Sequence, residues 1–409
     1  MSIYDKASLV QIPSGYKSGT LYSVVPNTAD GDFTYSGGTN GTRVNKDGLI
    51  ETIAADTPRL NYPLLNGVVQ DNPTLLLEPS RTQLAEYTNA ISSANGYSLT
   101  NGTLTTDSHT APDGSNEAST FEATSANGQF QKVKIGSSGT EYTVSAYVKR
   151  KTGTGTVYLR AVENTNTAVT IYDYWTRVSL TVTSTSTSIR YGMALETSGD
   201  EVYVWGFQVE VGSYPTSLIP NTSSGEITRT LDDCVDAQAD FNDAEGVLYV
   251  NAKINDPDDA DDNDFSLGDG SFVSNSVEIS FRNPLGVSQS IVGKCAIDGS
   301  TISLTNTTIT DQSIKHDLYH KVAYQYKQAD FKMFVNGFKI GTSTYNDIFA
   351  SGVLSRVSFE GNGTSGTKFR GETKELMTFN SAMTDIELET LTSYRSFNSM
   401  AKELLFTIE

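Results

Sequence analysis

The sequence predicts an all-β protein, with an extended N-terminal segment, two β-sandwiches and one short helix near the C-terminus. Apolar residues alternate with polar ones over short stretches, as at Tyr142, Val144, Ala146 and Val148, and a period of two is typical of half-buried strands. Ser, Thr, Asn and Gly fill the intervals, which suits many short strands joined by turns. Regular short strands of this kind indicate sheets that pack face to face.

The first 85 residues differ from the rest of the chain. They are rich in Pro, Gly, Asn and Asp, and Pro63, Pro73 and Pro79 exclude a long helix or a central strand at those positions. The segment has too few apolar residues for a core of its own. We therefore expect it to lie along another surface, which is either this chain's own sandwiches or a neighbouring subunit.

Two strand-rich regions follow, residues 86–224 and 225–409, and 409 residues suit two to three domains. The first reads as a jelly roll. In the second, Asn336-Gly337 separates alternating apolar stretches and predicts a hairpin, because both turn positions need a positive φ. Thr384 and Glu387 have the spacing of a capping box, which predicts the start of a short helix.

The composition excludes some partners. The formal net charge is -19, and a surface this acidic repels nucleic acids and anionic membranes. The charge therefore predicts no nucleic-acid binding. No stretch approaches the roughly 20 apolar residues that span a bilayer, so we also expect no membrane insertion.

Cys234 and Cys295 predict two reduced thiols in or near a core. The N-terminus lacks a basic start followed by an apolar stretch, so we expect no secretory signal and a protein that is made and folded in the cytoplasm.

Three sets of motifs resemble known families. The first resembles a leader of bacteriophage virion proteins and consists of residues 42–51 (TRVNKDGLIE), 58–62 (PRLNY) and 75–82 (LLLEPSRT). The second resembles the jelly-roll, carbohydrate-binding-module-like domain that follows that leader, at residues 111–114 (APDG), 175–178 (WTRV), 204–210 (VWGFQVE) and 212–217 (GSYPTS). The third resembles laminin-G/concanavalin A-like lectin domains, at residues 319–323 (YHKVA), 334–337 (FVNG) and 371–382 (GETKELMTFNSA).

The resemblance implies a bacteriophage virion surface protein, either a tail fibre or another host-attachment component. Residues 1–85 would anchor it to other virion proteins, residues 86–224 would be the jelly roll, and residues 225–409 the concanavalin A-like domain. A homotrimer is also implied. Two alternatives remain open: a capsid decoration or head-fibre protein, and a free lectin or glycan hydrolase. One sandwich fold hosts many tasks, so the fold does not choose among these.

The alternation also predicts a glycan-binding face on the jelly roll. The inward-pointing residues would be Tyr142, Val144, Ala146, Val157, Leu159, Ile189, Tyr191 and Trp205. The opposite face would then present Tyr147, Lys149, Tyr158, Arg160, Arg190, Gln208 and Glu210. Tyr rings stack on sugars, while Arg and Glu bond hydroxyls, so this face suits a host-surface polysaccharide. Alternatively, the face packs on a neighbouring subunit or domain. Trp175 and Trp205 are expected in a core.

An acidic run offers a candidate calcium site. Its carboxylates are Asp256, Asp258, Asp259, Asp261, Asp262 and Asp264. Hard oxygen ligands at this density suit Ca²⁺, although the EF-hand pattern is absent and a solvated acidic loop is the alternative. The turn at Asp113 is a second calcium candidate.

The sequence predicts no catalytic residues. His316 and His320 have zinc-protease spacing, but the intervening Glu is missing and a strand follows. Residues 361–366 (GNGTSG) match the dinucleotide-binding spacing, but another strand follows where that motif needs a helix. The acids Asp385, Glu387 and Glu389, which a glycan hydrolase would need across a cleft, fall in the first turns of the predicted helix. We therefore expect a protein that is not an enzyme.

Overall fold

The computed structural model describes residues 3–13, 15–17, 20–21, 23–26, 28–163, 165–255, 263–271, 273–282, 289–305, 318–361 and 367–394. Within these residues the chain forms 33 strands, one α-helix, α1 (Asp385–Thr392), and three 3₁₀ turns (Ile3–Lys6, Ala29–Gly31 and Ser93–Asn95). The all-β prediction with a short C-terminal helix is confirmed. No helix in the described ranges is long and apolar enough to cross a membrane.

The strands are short and follow one another closely along the chain. Those before residue 86 are β1 (Ala7–Gln11), β2 (Tyr16–Lys17), β3 (Thr20–Leu21), β4 (Thr34–Ser36), β5 (Gly41–Val44), β6 (Ile50–Ile53), β7 (Arg59–Asn61), β8 (Leu64–Leu65), β9 (Val68–Val69), β10 (Thr74–Leu77) and β11 (Arg81–Gln83). Those of the next region are β12 (Ser98–Thr100), β13 (Gly102–His109), β14 (Ala118–Ala123), β15 (Gly128–Ile135), β16 (Glu141–Thr152), β17 (Val157–Ala161), β18 (Thr165–Val169), β19 (Thr176–Thr183), β20 (Ser188–Leu195) and β21 (Glu201–Val211). The remaining strands are β22 (Ile227–Arg229), β23 (Asp233–Val235), β24 (Glu245–Ile254), β25 (Asn263–Gly268), β26 (Ser276–Arg282), β27 (Ser290–Ile297), β28 (Ser300–Thr305), β29 (His320–Lys327), β30 (Phe331–Val335), β31 (Phe338–Ser343), β32 (Arg356–Ser358) and β33 (Gly371–Phe379).

The first sandwich consists of two five-stranded antiparallel sheets. Their strand orders are β12-β15-β20-β17-β18 and β13-β14-β21-β16-β19. The apolar residues of the alternating strands meet between the sheets, and Val144, Leu159, Tyr191 and Phe207 are fully buried there. Burial of one face of each sheet is the physical reason for the period of two in the sequence.

The second sandwich has one larger and one smaller sheet. The larger has the order β31-β30-β29-β24-β33-β10-β7, with β1 also paired to β33, and the smaller has the order β28-β27-β26-β25-β32. Leu248, Phe265, Ile279 and Tyr324 are fully buried in the core between them. β10 and β25 are buried along their whole length, and β27 is buried at every residue except Lys294, which explains why the sequence shows less alternation here.

Three strands of the N-terminal segment belong to the larger sheet of the second sandwich. β33 pairs with β24 along one edge, and its other edge is shared by β10 and β1. Leu9, Leu75 and Leu77 are buried in the core of that sandwich. Of the two surfaces that the sequence left open for this segment, the chain's own C-terminal sandwich is the one that these strands cover. Pro73 and Pro79 stand just outside β10, where no ladder hydrogen bond is lost.

The hairpin predicted at Asn336-Gly337 and the helix start predicted at Thr384 are both confirmed. Asn336 and Gly337 have φ values of 51° and 86° and join β30 to β31. At α1, the Thr384 hydroxyl accepts a hydrogen bond from the Glu387 backbone N–H, and the Glu387 carboxylate accepts one from the Thr384 N–H at 2.9 Å. These are the reciprocal bonds of a capping box.

The two cysteines are free and buried, as the sequence predicted. Cys234 lies in β23 and Cys295 in β27, and both face the core of the second sandwich. Burial raises the pKa of both thiols, so the reactive thiolate is disfavoured at neutral pH.

Four buried charged side chains form an arginine–carboxylate cluster where the N-terminal segment meets the two sandwiches. Arg59, Glu78, Arg229 and Asp232 are each at most 3% exposed. Glu78 Oε2 accepts hydrogen bonds from Arg59 Nη1, at 2.7 Å, and from Arg229 Nη1. Asp232 Oδ2 accepts from Arg59 Nη2 and from the Glu78 backbone N–H, the latter at 2.8 Å. The cluster therefore alternates two cations with two anions.

Mutual pairing favours the charged forms of Glu78 and Arg59. Burial alone would raise the pKa of Glu78, but Arg229 and Arg59 hold it well below its usual range. Burial likewise opposes the charge of Arg59, while Glu78 and Asp232 raise its pKa above the ordinary value. Charges removed from water are tolerated only when they are paired and hydrogen-bonded in this way.

We predict that Glu78→Gln lowers the free energy of unfolding by about 3–5 kcal/mol, because it leaves the two buried guanidinium groups of Arg59 and Arg229 with Asp232 as their one anion in the cluster. Urea unfolding followed by circular dichroism measures the loss. Glu226→Gln is the control, since Glu226 is half exposed and its pair with Lys134 contributes at most about 1 kcal/mol.

The role of Glu78 can also be tested by comparing the stability of the wild type and of Glu78→Gln as a function of pH. The native pKa of Glu78 is depressed, so its contribution is full above the unfolded value of about 4.3 and declines as the pH falls below that value toward the native pKa. The difference in stability between wild type and Glu78→Gln should therefore narrow in acid. A difference that is absent at neutral pH, or independent of pH, would contradict the role assigned to the cluster.

Candidate functional site

The seven residues predicted to form one glycan-binding face lie on two opposite faces of the first sandwich. One group is on the sheet that contains β16 and β21: Tyr147, Lys149, Gln208 and Glu210. The other group is on the sheet that contains β17 and β20: Tyr158, Arg160 and Arg190. Because the sheets pack their inner faces together, their outer faces point away from each other. The seven residues therefore do not form the single face that the alternation predicts.

A β-bulge in β21 changes which residues of this strand point outward. Val204 and Phe207 both face the core of the first sandwich, although they are three positions apart. Gly206 takes a φ of 65°, in the left-handed region, and the extra residue shifts the alternation by one. Trp205, predicted to point into that core, instead points outward. It is nonetheless buried, against Ile50 and other residues that cover the sheet.

Gln208 and Glu210 are fully buried and hold the connection between the two sandwiches. The Gln208 side chain accepts a hydrogen bond from the Ile219 N–H at 2.7 Å and donates one to the Thr216 carbonyl at 3.2 Å. Glu210 accepts from the Thr216 N–H at 3.0 Å and from its hydroxyl at 2.5 Å. These two side chains are not available to a glycan. At these positions the alternative holds, in which the face packs on a neighbouring part of the protein.

Lys149 belongs to an aromatic cluster that the sequence did not reveal. Its Nζ lies 3.4 Å from His109 Nε2, and the His109 ring stacks on Tyr203 at 3.8 Å between centroids. Burial and Lys149 lower the pKa of His109, so this imidazole is neutral at pH 7. Trp175 lies beside it, partly buried, and donates to the Thr110 carbonyl at 3.2 Å. The core position predicted for Trp175 is thus only partly correct.

A pocket of about 260 Å³ lies where the N-terminal segment, the two sandwiches and their connection meet, and we call it the junction pocket. Tyr147 and Arg177 contribute from the first sandwich, Asn61 from the N-terminal segment, Ser217 from the connection and Asn255 from the second sandwich. Since these residues are far apart in sequence, no local motif could have revealed the pocket.

Several polar side chains that line this pocket have hydrogen-bonding groups without a partner. Within the described residues, neither the Tyr147 hydroxyl nor the side-chain NH₂ of Asn61 nor the amide of Asn255 has a hydrogen-bond partner. The guanidinium of Arg177 lies over the Tyr147 ring at 5.4 Å and donates to a backbone carbonyl at 2.6 Å. Trp205 packs beside the same ring, with 5.7 Å between centroids. The ring is thereby fixed, and burial raises the pKa of its hydroxyl, which remains a donor at neutral pH.

The two carboxylates of the pocket are already engaged. Glu78 belongs to the arginine–carboxylate cluster. Glu372 accepts hydrogen bonds from Thr74 at 2.6 Å and from Tyr319 at 2.9 Å, and pairs with Lys253 at 3.0 Å. Burial opposes the charge of Glu372, but Lys253 and these hydrogen bonds lower its pKa below the ordinary value. Both groups are therefore carboxylates rather than acids at neutral pH.

The calcium candidates fall mainly outside the described residues, which include only Asp264 of the run. Asp264 is buried in β25 and accepts a hydrogen bond from the Ser280 hydroxyl. In the part of the chain that the structure describes, no group of three or more acidic, His or Cys side chains could hold a metal. Asp113 accepts from the Ser115 N–H at 2.9 Å, as in an ordinary Asx turn. Calcium binding by the run stays a prediction.

The rejected catalytic motifs have the surroundings that the sequence predicted, as far as they are described. His320 begins β29, not a helix, and its Nδ1 lies 2.9 Å from Asn336 Nδ2. His316 is outside the described residues, as are residues 362–366 of the glycine-rich stretch, of which Gly361 alone is described.

The acids at the start of α1 have structural roles. Asp385 pairs with Lys339 at 2.6 Å and with Lys332 at 3.0 Å. Glu387 caps the helix and pairs with Lys6 at 2.5 Å, and these contacts lower its pKa to about 2. Their positions agree with helix capping rather than with a catalytic pair.

No protein-family model matches the chain, and no curated protein matches it. Among solved structures it is similar to the IT-sialidase CBM40 of Ruminococcus gnavus bound to α2,3-sialyllactose, at 17% identity over 37% of this chain and 84% of that one, with a TM-score of 0.31. It is also similar to domain 4 of an extracellular arabinanase from Geobacillus stearothermophilus in complex with arabinotriose (14% identity, 44% and 84% of the two chains, TM-score 0.30). A third similar structure is the LG4-5 domains of the mouse laminin α1 chain (10% identity, 68% and 92%, TM-score 0.27). These likenesses are partial, and the fold described above rests on the strand pairing of this chain.

Proposed function

We propose that this protein binds glycans without catalysing a reaction, and that the junction pocket holds one sugar residue. The observation that carries the proposal is the convergence of the Tyr147 hydroxyl with the side-chain amides of Asn61 and Asn255 on one cavity. Saccharides present many hydroxyl groups, each of which needs a donor or an acceptor. A volume of about 260 Å³ lies just below the range of drug-sized sites, which suits a single ring rather than a chain.

The same pocket disfavours hydrolysis. Glycosidases need one protonated carboxylic acid and a second carboxylate across the scissile bond. Glu78 and Glu372 both have depressed pKa values and neither can supply the proton at neutral pH. We therefore expect no release of reducing sugar from any polysaccharide that the protein binds.

We predict that Tyr147→Phe and Asn255→Ala each weaken glycan binding by about five- to tenfold, because each removes one hydrogen bond of about 1 kcal/mol. A glycan array identifies a bound saccharide, and titration calorimetry on the whole chain measures its affinity. Tyr158→Phe is the matched control, since it removes the same hydroxyl from the opposite face of the sandwich. If both pocket variants bind every captured glycan as wild type does, the pocket is not the site.

We further propose that the protein is displayed on a bacteriophage virion as a tail fibre or host-attachment component. The motifs of the N-terminal segment and of the jelly roll support this, through their resemblance to virion proteins. A capsid decoration or head-fibre position is the alternative. The homotrimer that the resemblance implies belongs to this proposal, and light scattering tests it as a mass three times that of the chain.

The structure narrows the part of residues 1–85 that could anchor the protein. β1, β7 and β10 complete the second sandwich, so deletion of the whole segment would open its core. The hairpin of β8 and β9 is free of that sheet and exposes apolar side chains, with Leu65 43% and Val68 63% exposed. Exposed apolar residues of this kind suit contact with another virion protein.

We predict that Leu65→Asp with Val68→Asp leaves the fold intact and lowers incorporation into particles at least severalfold, because charged groups cannot be buried against an apolar partner. Labelled antibody on intact particles measures how much of the protein is incorporated and shows whether it lies on the tail or on the head. Ile135→Asp is the control, because Ile135 is 83% exposed on the first sandwich. Normal incorporation of the double variant would exclude the hairpin as the anchor, and a protein absent from all particles would exclude the virion role.

A further inference from the structure

The junction pocket has an apolar wall as well as the polar groups described above. Val44, Ile50 and Leu218 all line the pocket, and they belong to one cluster of apolar side chains that also includes the ring of Tyr147. Ile50 and Leu218 are buried, whereas Val44 is partly exposed. A sugar that fills the pocket therefore meets an apolar surface on this side.

Leu76 adds a further apolar side chain to the lining of the pocket. Leu75 and Leu77 are buried in the core of the second sandwich, so the side chain between them points to the opposite face of the sheet. There it lines the junction pocket. Hydroxyl groups that face an apolar surface lose their hydrogen bonds to water without replacement. A sugar with a hydroxyl at every position is thus a poor match for this part of the pocket.

The side-chain amide of Asn61 places a hydrogen-bond donor beside the apolar wall. Asn61 Oδ1 accepts a hydrogen bond from the Val44 backbone N–H at 2.9 Å. Because a backbone N–H can only donate, this contact fixes the orientation of the amide and assigns its other end to the NH₂ group. Among the described residues that NH₂ group has no acceptor, and both Asn61 and Val44 line the pocket. A free donor and an apolar side chain are therefore neighbours in the lining.

Asn255 brings a second amide to the pocket, from the end of β24 in the second sandwich. Its side chain makes no hydrogen bond to any residue that the structure describes, so both its carbonyl and its NH₂ group are unpaired. The two carboxylates of the lining, by contrast, already have partners. An unpaired amide carbonyl is an acceptor that suits an N–H group of a ligand.

We propose that the sugar held in the junction pocket carries an acetamido group. This inference rests on the proposed function and names the substituent that the pocket selects. The methyl group contacts the apolar wall at Val44, the carbonyl oxygen accepts a hydrogen bond from the Asn61 NH₂ group, and the N–H donates to the Asn255 carbonyl. A 6-deoxy sugar also presents a methyl group, but it offers no acceptor to the donor beside the wall.

The test measures the affinity of the whole chain for a panel of methyl glycosides by NMR titration. Three members are 2-acetamido-2-deoxyhexoses, with the gluco, galacto and manno configurations, and each is paired with the hexose that has a 2-hydroxyl group instead. Two 6-deoxyhexoses complete the panel. We expect at least one acetamido sugar to bind about tenfold or more tightly than its 2-hydroxy counterpart, and more tightly than either 6-deoxyhexose.

Two variants connect this preference to the pocket. Asn61→Asp keeps the oxygen that accepts from the Val44 N–H but replaces the NH₂ group, so it should remove most of the preference. Val44→Thr keeps the shape of the side chain but puts a hydroxyl group in the apolar wall, and should lower the preference severalfold. It also tests the proposal if Asn61→Asp does not fold. Val133→Thr is the matched control, because Val133 is 46% exposed on the other sheet of the first sandwich, and it should bind as wild type.

The possible outcomes separate the acetamido assignment from the sugar site itself. Equal affinity for the acetamido and 2-hydroxy sugars, or tighter binding of a 6-deoxyhexose, would overturn the assignment and leave the junction pocket as a sugar site. If no panel member binds, the glycan array decides whether the assignment alone or the proposed function as a whole is wrong. A preference that persists in both Asn61→Asp and Val44→Thr would overturn the recognition of the acetamido group by these residues.

Discussion

The arrangement of the two sandwiches depends on the arginine–carboxylate cluster. Its members come from the N-terminal segment and from the chain just after the connection, so forming it brings both to one point. Glu78 also accepts hydrogen bonds from the Ser217 N–H and hydroxyl, at 2.7 and 2.6 Å, which fixes the connection itself. Because a buried charge without its partner is costly, the cluster allows little displacement of any of these parts.

The arginine–carboxylate cluster also fixes the shape of the junction pocket. Arg59 donates to the Thr42 carbonyl at 3.2 Å, and the Thr42 hydroxyl donates to the Leu218 carbonyl at 2.5 Å. Both Thr42 and Leu218 line the pocket, so a chain of hydrogen bonds runs from the cluster to the cavity wall. A site held in this way loses little conformational freedom when a ligand enters, which favours affinity. The N-terminal segment is thus part of the wall of the junction pocket as well as of the second core.

Local features of the fold could be predicted from the sequence, and non-local ones could not. The turn at Asn336-Gly337 and the cap at Thr384 depend on neighbouring residues alone. The pairing of β10 with β33 joins residues about 300 positions apart, and nothing in the leucine run near residue 75 specifies that partner. The junction pocket was missed for the same reason. The predicted glycan face was wrong because its seven residues come from two different sheets, and the sequence does not specify which strands pair. The orientation of Trp205 was wrong because the bulge at Gly206 shifts the alternation within β21.

The bulge also decides which contacts the outer face of this sheet makes within the chain. The bulge places Trp205, which precedes it, and Gln208 and Glu210, which follow it, on the same outer face. Gln208 and Glu210 hold the connection, and Trp205 packs against the N-terminal segment. The central part of that sheet is therefore occupied by contacts within the chain. The proposed sugar site on this side of the sandwich is therefore the junction pocket, whose volume of about 260 Å³ suits a single ring rather than a longer chain.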